Sequence, residues 1–150
     1  MSRFFSRAVL GAVILSPTLA HAIAVNSTTP HGNANNVSRS GAISIDFDTP
    51  LATSTITSSS FRVWGNETGR VAGTIEYSNN DKTLTFTPSG TYFPGEWVTI
   101  QLSHAIQGAD SSSLRSAGYA FQFMTATSPG SLSFTELESS PVSVRLNGDT

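Results

Sequence analysis

Residues 82–102 read KTLTFTPSGTYFPGEWVTIQL, and the parsing of this stretch decides the fold class. Leu84 and Phe86 alternate with Thr83, Thr85 and Thr87, and further on Val98, Ile100 and Leu102 alternate with Thr99 and Gln101. A two-residue period puts successive side chains on opposite faces of an extended chain, so each run predicts a strand with one buried and one wet face. Pro88, Gly90, Pro94 and Gly95 lie between the runs. Proline lacks the amide donor a helix needs and glycine destabilises one, so this segment predicts a corner joining two strands.

The same alternation recurs on both sides. Residues 42–48 set Ile43, Ile45 and Phe47 against Ser44, Asp46 and Asp48, and Thr49-Pro50 ends the run. Residues 61–64 resume strand character before a Gly65-Asn66 turn. Residues 71–78 read as one strand with Val71, Gly73, Ile75 and Tyr77 on one parity, and Ser78-Asn79-Asn80-Asp81 predicts the hairpin turn into residue 82. Residues 119–125 close the set, with Tyr119, Phe121 and Phe123 inward and Ala120, Gln122 and Met124 outward. Residues 23–41 are Asn-rich and predict one short edge strand near 23–27; residues 51–60 predict a crossing loop or a short helical turn. Residues 104–117 form a polar loop long enough to be irregular or functional. Six or seven short strands without a crossover helix exclude a parallel βαβ unit and predict an all-β sandwich or barrel.

Charged residues make up 12% of the chain, against about 25% in ordinary soluble domains, and Ser, Thr, Asn and Gly fill the difference. Such a weakly charged, hydroxyl-rich surface is typical of exported proteins. The net charge of −2 provides no basic footprint for nucleic acid. Cysteine is absent, which excludes disulfides, thiol catalysis and thiolate metal sites.

Residues 1–22 predict a cleaved signal peptide. Arg3 and Arg7 precede an apolar stretch from Ala8 to Leu15, and Ala20-His21-Ala22 offers a small-x-small site with cleavage after Ala22. The apolar run is too short to span a hydrocarbon layer of about 30 Å, so no transmembrane anchor is expected in this chain. Residues 23–127 then form the sandwich domain. Residues 128–150 start with Ser128-Pro129-Gly130, a linker, and alternate again at 131–134 and 142–146, predicting an additional hairpin or the start of a following module.

In order along the chain, several landmarks resemble the bacterial Ig-like domain of S-layer and other exported surface proteins. They are Pro30 with Asn36-Val37, Ile43-Ser44-Ile45-Asp46-Phe47, Ser60-Phe61-Arg62-Val63, Gly73-Thr74-Ile75-Glu76-Tyr77 and Leu84-Thr85-Phe86-Thr87-Pro88. Phe93-Pro94-Gly95, Val98-Thr99-Ile100 and Phe121-Gln122-Phe123-Met124-Thr125 complete the match, which covers about residues 29–125. The resemblance implies an Ig-like antiparallel sandwich of about seven strands with a structural, spacer or adhesion role and no catalytic residues. Two departures stand out. Val98 occupies a position where the family usually has Tyr, which removes a tyrosine-corner hydrogen bond, and the loop at 107–113 lacks the Asp-x-x-Gly-Asn type of turn.

Catalytic and metal-binding patterns are sparse. His31 and His104 remain after cleavage; His104 with Asp110 and a serine would make a triad, but no glycine-flanked nucleophile motif accompanies them. Asp46 and Asp48 share one strand face about 7 Å apart, near a retaining glycosidase's carboxyl spacing, and read more simply as a solvated face. Asp110 and Asn147-Gly148-Asp149 hint at calcium but complete no EF-hand spacing, so they read as turns and no cofactor is assigned. Partner contacts are expected of the aromatics: Trp97 on the outward parity, Trp64 at a strand end and Tyr92 in the corner. Two readings of the function follow, a non-enzymatic surface module whose partner is a cell-surface protein or glycan, and a carbohydrate-binding module or accessory domain of an exported hydrolase.

Overall fold

A computed structural model describes residues 22–128, together with the backbone of 131–135 and 143–147. The expected signal peptide at 1–22, save Ala22, and residues 129–130, 136–142 and 148–150 lie outside the described residues. Eight strands build the sandwich: β1 (Val25–Thr29), β2 (Ile43–Phe47), β3 (Phe61–Gly65), β4 (Gly69–Arg70), β5 (Gly73–Ser78), β6 (Thr83–Pro88), β7 (Trp97–Leu102) and β8 (Tyr119–Met124). They form two antiparallel four-stranded sheets, ordered β1-β2-β6-β5 and β4-β3-β7-β8. The expected count of about seven is exceeded by the two-residue strand β4. β9 (Ser131–Thr135) and β10 (Ser143–Asn147) pair antiparallel in a two-stranded sheet.

Alternation and register together make the core. In the first sheet Ile43 pairs with Phe86 and Phe86 with Ile75, while Ile45 pairs with Leu84 and Leu84 with Tyr77. In the second, Val63, Ile100 and Phe121 make one inward row, and Gly65, Val98 and Phe123 the next. Phe61 and Phe86 meet between the sheets with ring centroids 5.6 Å apart.

Two segments depart from the sequence expectation by changing sheets. The stretch read as one strand at 71–78 is divided: the Val71 amide donates to the Val63 carbonyl of the second sheet, whereas Gly73 already pairs with Pro88 of the first. A Cβ at Gly73 would collide with the Phe86 ring and the Thr87 carbonyl, so only glycine allows the crossing. The Asn-rich lead-in also does more than form β1. After the cis Thr29-Pro30 bond, Asn33 and Asn36 take positive φ, a conformation Asn tolerates, and residues 33–37 run along the free edge of β8. Met124 donates to Ala34, and Val37 donates to Met124. This strap covers an edge that would otherwise template aggregation.

The loop at 104–117 is compact. Ile106 and Leu114 are buried in the core, and the Leu114 amide donates to the Ile106 carbonyl at 3.0 Å. Asp110 accepts from the Ser112 amide and hydroxyl, which makes it a turn former.

Candidate functional site

The outward positions of β4, β3, β7 and β8 bring the predicted tryptophans onto one face. Register pairing produces three rows. Arg62, Gln101 and Ala120 lie side by side in the first; Arg70, Trp64, Thr99 and Gln122 in the second; Trp97 and Met124 in the third. Trp97 stands two residues before Thr99, so it is the diagonal neighbour of Trp64, a separation of about 7–8 Å that aromatic side chains bridge. Trp64 is 53% exposed, and Trp97 is half-buried.

Tyr92 does not join them, and the expectation of an exposed corner ring is corrected. It is only 1% exposed and packs edge-on against Phe123 at 6.0 Å. The corner is folded over the end of the sandwich by reciprocal bonds with Arg39: the Tyr92 amide donates to the Arg39 carbonyl, and Arg39 Nε donates to the Tyr92 carbonyl. The Tyr92 hydroxyl has no hydrogen-bond partner among the described residues, and burial together with the nearby Glu96 charge pushes its pKa up to about 12. Phe93 takes the exposed place instead, at 55%.

Glu96, which sequence reasoning passed over, is the most heavily bonded side chain of this end. It is 3% exposed. Its Oε2 accepts from the Glu67 and Thr68 amides at 3.0 Å each, and its Oε1 from the Thr68 hydroxyl at 2.5 Å and the Phe93 amide at 2.8 Å. The Glu96 amide donates to Thr125 Oγ1, which donates onward to the Phe93 carbonyl. One carboxylate thereby ties the β3–β4 turn to the corner, and its own backbone ties both to the end of β8. Burial alone would raise the carboxyl, but the Thr68 hydroxyl and the Thr68, Phe93 and Glu67 amides outweigh it and hold the pKa below the usual range. A glycine at 65 is required, because a Cβ there would overlap the carboxylate.

The other candidate groups are also committed or stand apart. Asp46 accepts from Thr83 Oγ1 at 2.6 Å and Ser27 Oγ at 2.7 Å, and these two hydroxyls hold its pKa below the usual value. An acid held ionised in this way cannot serve as a proton donor near neutral pH. Asp48 accepts the Ala24 amide at 3.0 Å. His31 and His104 are exposed, and neither imidazole has a hydrogen-bond partner among the described residues. No group of three His, Cys, Asp or Glu that could hold a metal occurs among the described residues. No helix among them is long and apolar enough to cross a membrane.

Known structures share this architecture. Domains of the surface layer protein SbsC align at 17% identity and a TM-score of 0.53, over 78% of this chain and 16% of that one. The MG0-NIE-MG1 portion of Escherichia coli alpha-2-macroglobulin aligns at 16% identity and a TM-score of 0.55, over 77% of this chain and 35% of that one. PcoC, a copper resistance protein from Escherichia coli, aligns at 13% identity and a TM-score of 0.51, over 68% of this chain and 98% of that one. Identities this low carry the fold alone. No curated protein sequence matches the chain. The model of the bacterial Ig-like domain matches residues 20–125, spanning both sheets, the strap and the Glu96 corner, and the chain belongs to that family.

Proposed function

We propose that the chain is an exported, non-catalytic Ig-like module that acts as a spacer or adhesive unit at the bacterial cell surface. The observation that carries this reading is the deployment of its ionisable groups. Asp46 and Glu96 hold strands and turns together, and the exposed histidines have no oriented partner among the described residues. Acid–base catalysis needs a positioned group with a pKa near the working pH, and these groups serve structure instead. The leader pattern at 1–22 and the fold likeness to surface layer domains support placement outside the cytoplasm. The test is cell fractionation with intact-mass measurement of the native protein. A species starting at Ile23 in the envelope or medium is expected; an uncleaved species in the cytoplasm would sink the reading.

A further inference from the structure

We propose that the outward face of the β4-β3-β7-β8 sheet is a binding platform for an anionic polysaccharide. The proposal rests on the surface-module reading and names its partner class. Charge is the first argument. None of the four strands contains Asp or Glu, while Arg62 and Arg70 both take outward positions. This concentration stands out in a chain whose net charge is −2. Arg62 is exposed and its guanidinium has no hydrogen-bond or ion-pair partner among the described residues, so that fork is available to a carboxylate, sulfate or phosphate. Arg70 is steadied by donating to the Ser58 carbonyl at 3.0 Å.

The remaining chemistry is that of sugar recognition. The indoles of Trp64 and Trp97 offer flat apolar surfaces with a polar edge, suited to the C–H face of a pyranose ring. Gln101, Gln122 and Asn33 each carry a donor and an acceptor; Gln122 Nε2 donates to Asn33 Oδ1 at 3.5 Å, which leaves the Gln122 carbonyl, the Asn33 NH2 and both groups of Gln101 to match vicinal hydroxyls. They border two shallow depressions of about 330 and 420 Å³ that share Tyr119 and Ala120 and run along the face beside Arg62 and Thr99. An extended chain of rings fits such a shallow run better than a compact ligand, which needs an enclosing pocket.

The test uses the full chain in calorimetric titrations with polygalacturonate, heparin and a glycerol-phosphate teichoic acid, which present carboxylate, sulfate and phosphate. Dextran is the neutral control and single-stranded oligothymidine the non-sugar polyanion. Saturable binding to one or more of the three acidic glycans is expected, at least tenfold tighter than to dextran or oligothymidine, and weakened by salt. Trp64→Ala should reduce the affinity about tenfold or more, and Arg62→Gln severalfold with a shallower salt dependence. Thr85→Ala, on the opposite sheet, should leave it unchanged. Both tested side chains on the platform are exposed, and unchanged thermal melts would confirm that the variants fold. Failure to bind any of the three acidic glycans, equal binding of dextran or oligothymidine, or indifference to both platform substitutions would overturn the proposal. Because the titrations use purified protein, those results leave the surface location to the fractionation experiment.

Discussion

The two sheets present matching apolar rows to each other and opposite chemistries to the outside. β1, β2, β5 and β6 carry Asp46 and Glu76 with no Lys or Arg, and their outward rows are otherwise hydroxyls: Ser44 beside Thr85, Thr83 beside Asp46, Thr74 beside Thr87. β3, β4, β7 and β8 carry two arginines and two tryptophans with no acid. The sheets differ again in how a carboxylate stitches them. Asp46 stands on a half-wet face and accepts from two hydroxyls on flanking strands. Glu96 is buried and accepts from three backbone amides and one hydroxyl, all in loops at the sandwich end. A wet acid competes with water for the same donors, whereas a buried one leaves those donors stranded when it is removed. The same residue class therefore makes a water-competed tie between strands on one sheet and a buried knot between loops beside the other.

The largest expected effect is at Glu96. Glu96→Gln turns an amide NH2 toward backbone donors that now meet a carboxylate oxygen, and should destabilise the fold by about 3 kcal/mol in urea denaturation at neutral pH. The pH dependence has a defined sign. The folded carboxyl titrates below its ordinary value of 4.5, so its contribution is complete above that value and is lost as pH falls through the lower folded pKa. The Gln variant should flatten this acid limb; an unchanged limb would assign it to other carboxylates.

Gly65→Ala attacks the same knot from the opposite side. A carboxylate end is normally able to swing away from a new Cβ, but here four hydrogen bonds pin it, so a loss of about 1–3 kcal/mol is expected. A neutral result would show that the knot yields easily. Asp46→Asn should cost no more than about 1 kcal/mol, because water replaces a half-exposed pair readily. A loss as large as that at Glu96 would collapse the contrast between the two carboxylates. The smallest effect is expected at Tyr92, whose buried hydroxyl has no partner among the described residues. Tyr92→Phe should match the wild-type thermal melt or stabilise by up to about 1 kcal/mol, and a marked loss would reveal a bond to that hydroxyl.

The strands at 43–47, 83–88, 97–102 and 119–124 were legible because alternation is a property of consecutive residues. Trp97 was placed outward by the same parity, whereas Trp64 was read only as standing at a strand end and its outward position came from its pairing with Thr99. Parity fails where the chain changes sheets, as at Val71–Gly73, since both halves of that stretch are extended and only hydrogen-bond partners distinguish them. It fails in corners too. Tyr92 sits in a Pro/Gly-rich segment that reads as exposed, yet its burial depends on Arg39, 53 residues away. Ile106 and Leu114 sit in a loop whose composition is polar, and two separated apolar residues make no periodic signal. Glu96 was silent because its donors at Glu67 and Thr68 lie 29 and 28 residues upstream.

By itself the sequence determined that this chain is all-β, which residues share a face in the strongly alternating strands, and that the family resemblance leads to an Ig-like sandwich. Each of those is written locally, in the two-residue period and in the turn residues that interrupt it. The tertiary structure alone decided which sheet each strand joins, which free edge the Asn-rich strap covers, which aromatic is exposed and which carboxylate is buried. These outcomes depend on groups far apart in sequence, and burial and hydrogen-bond satisfaction exist only once the fold has brought them together.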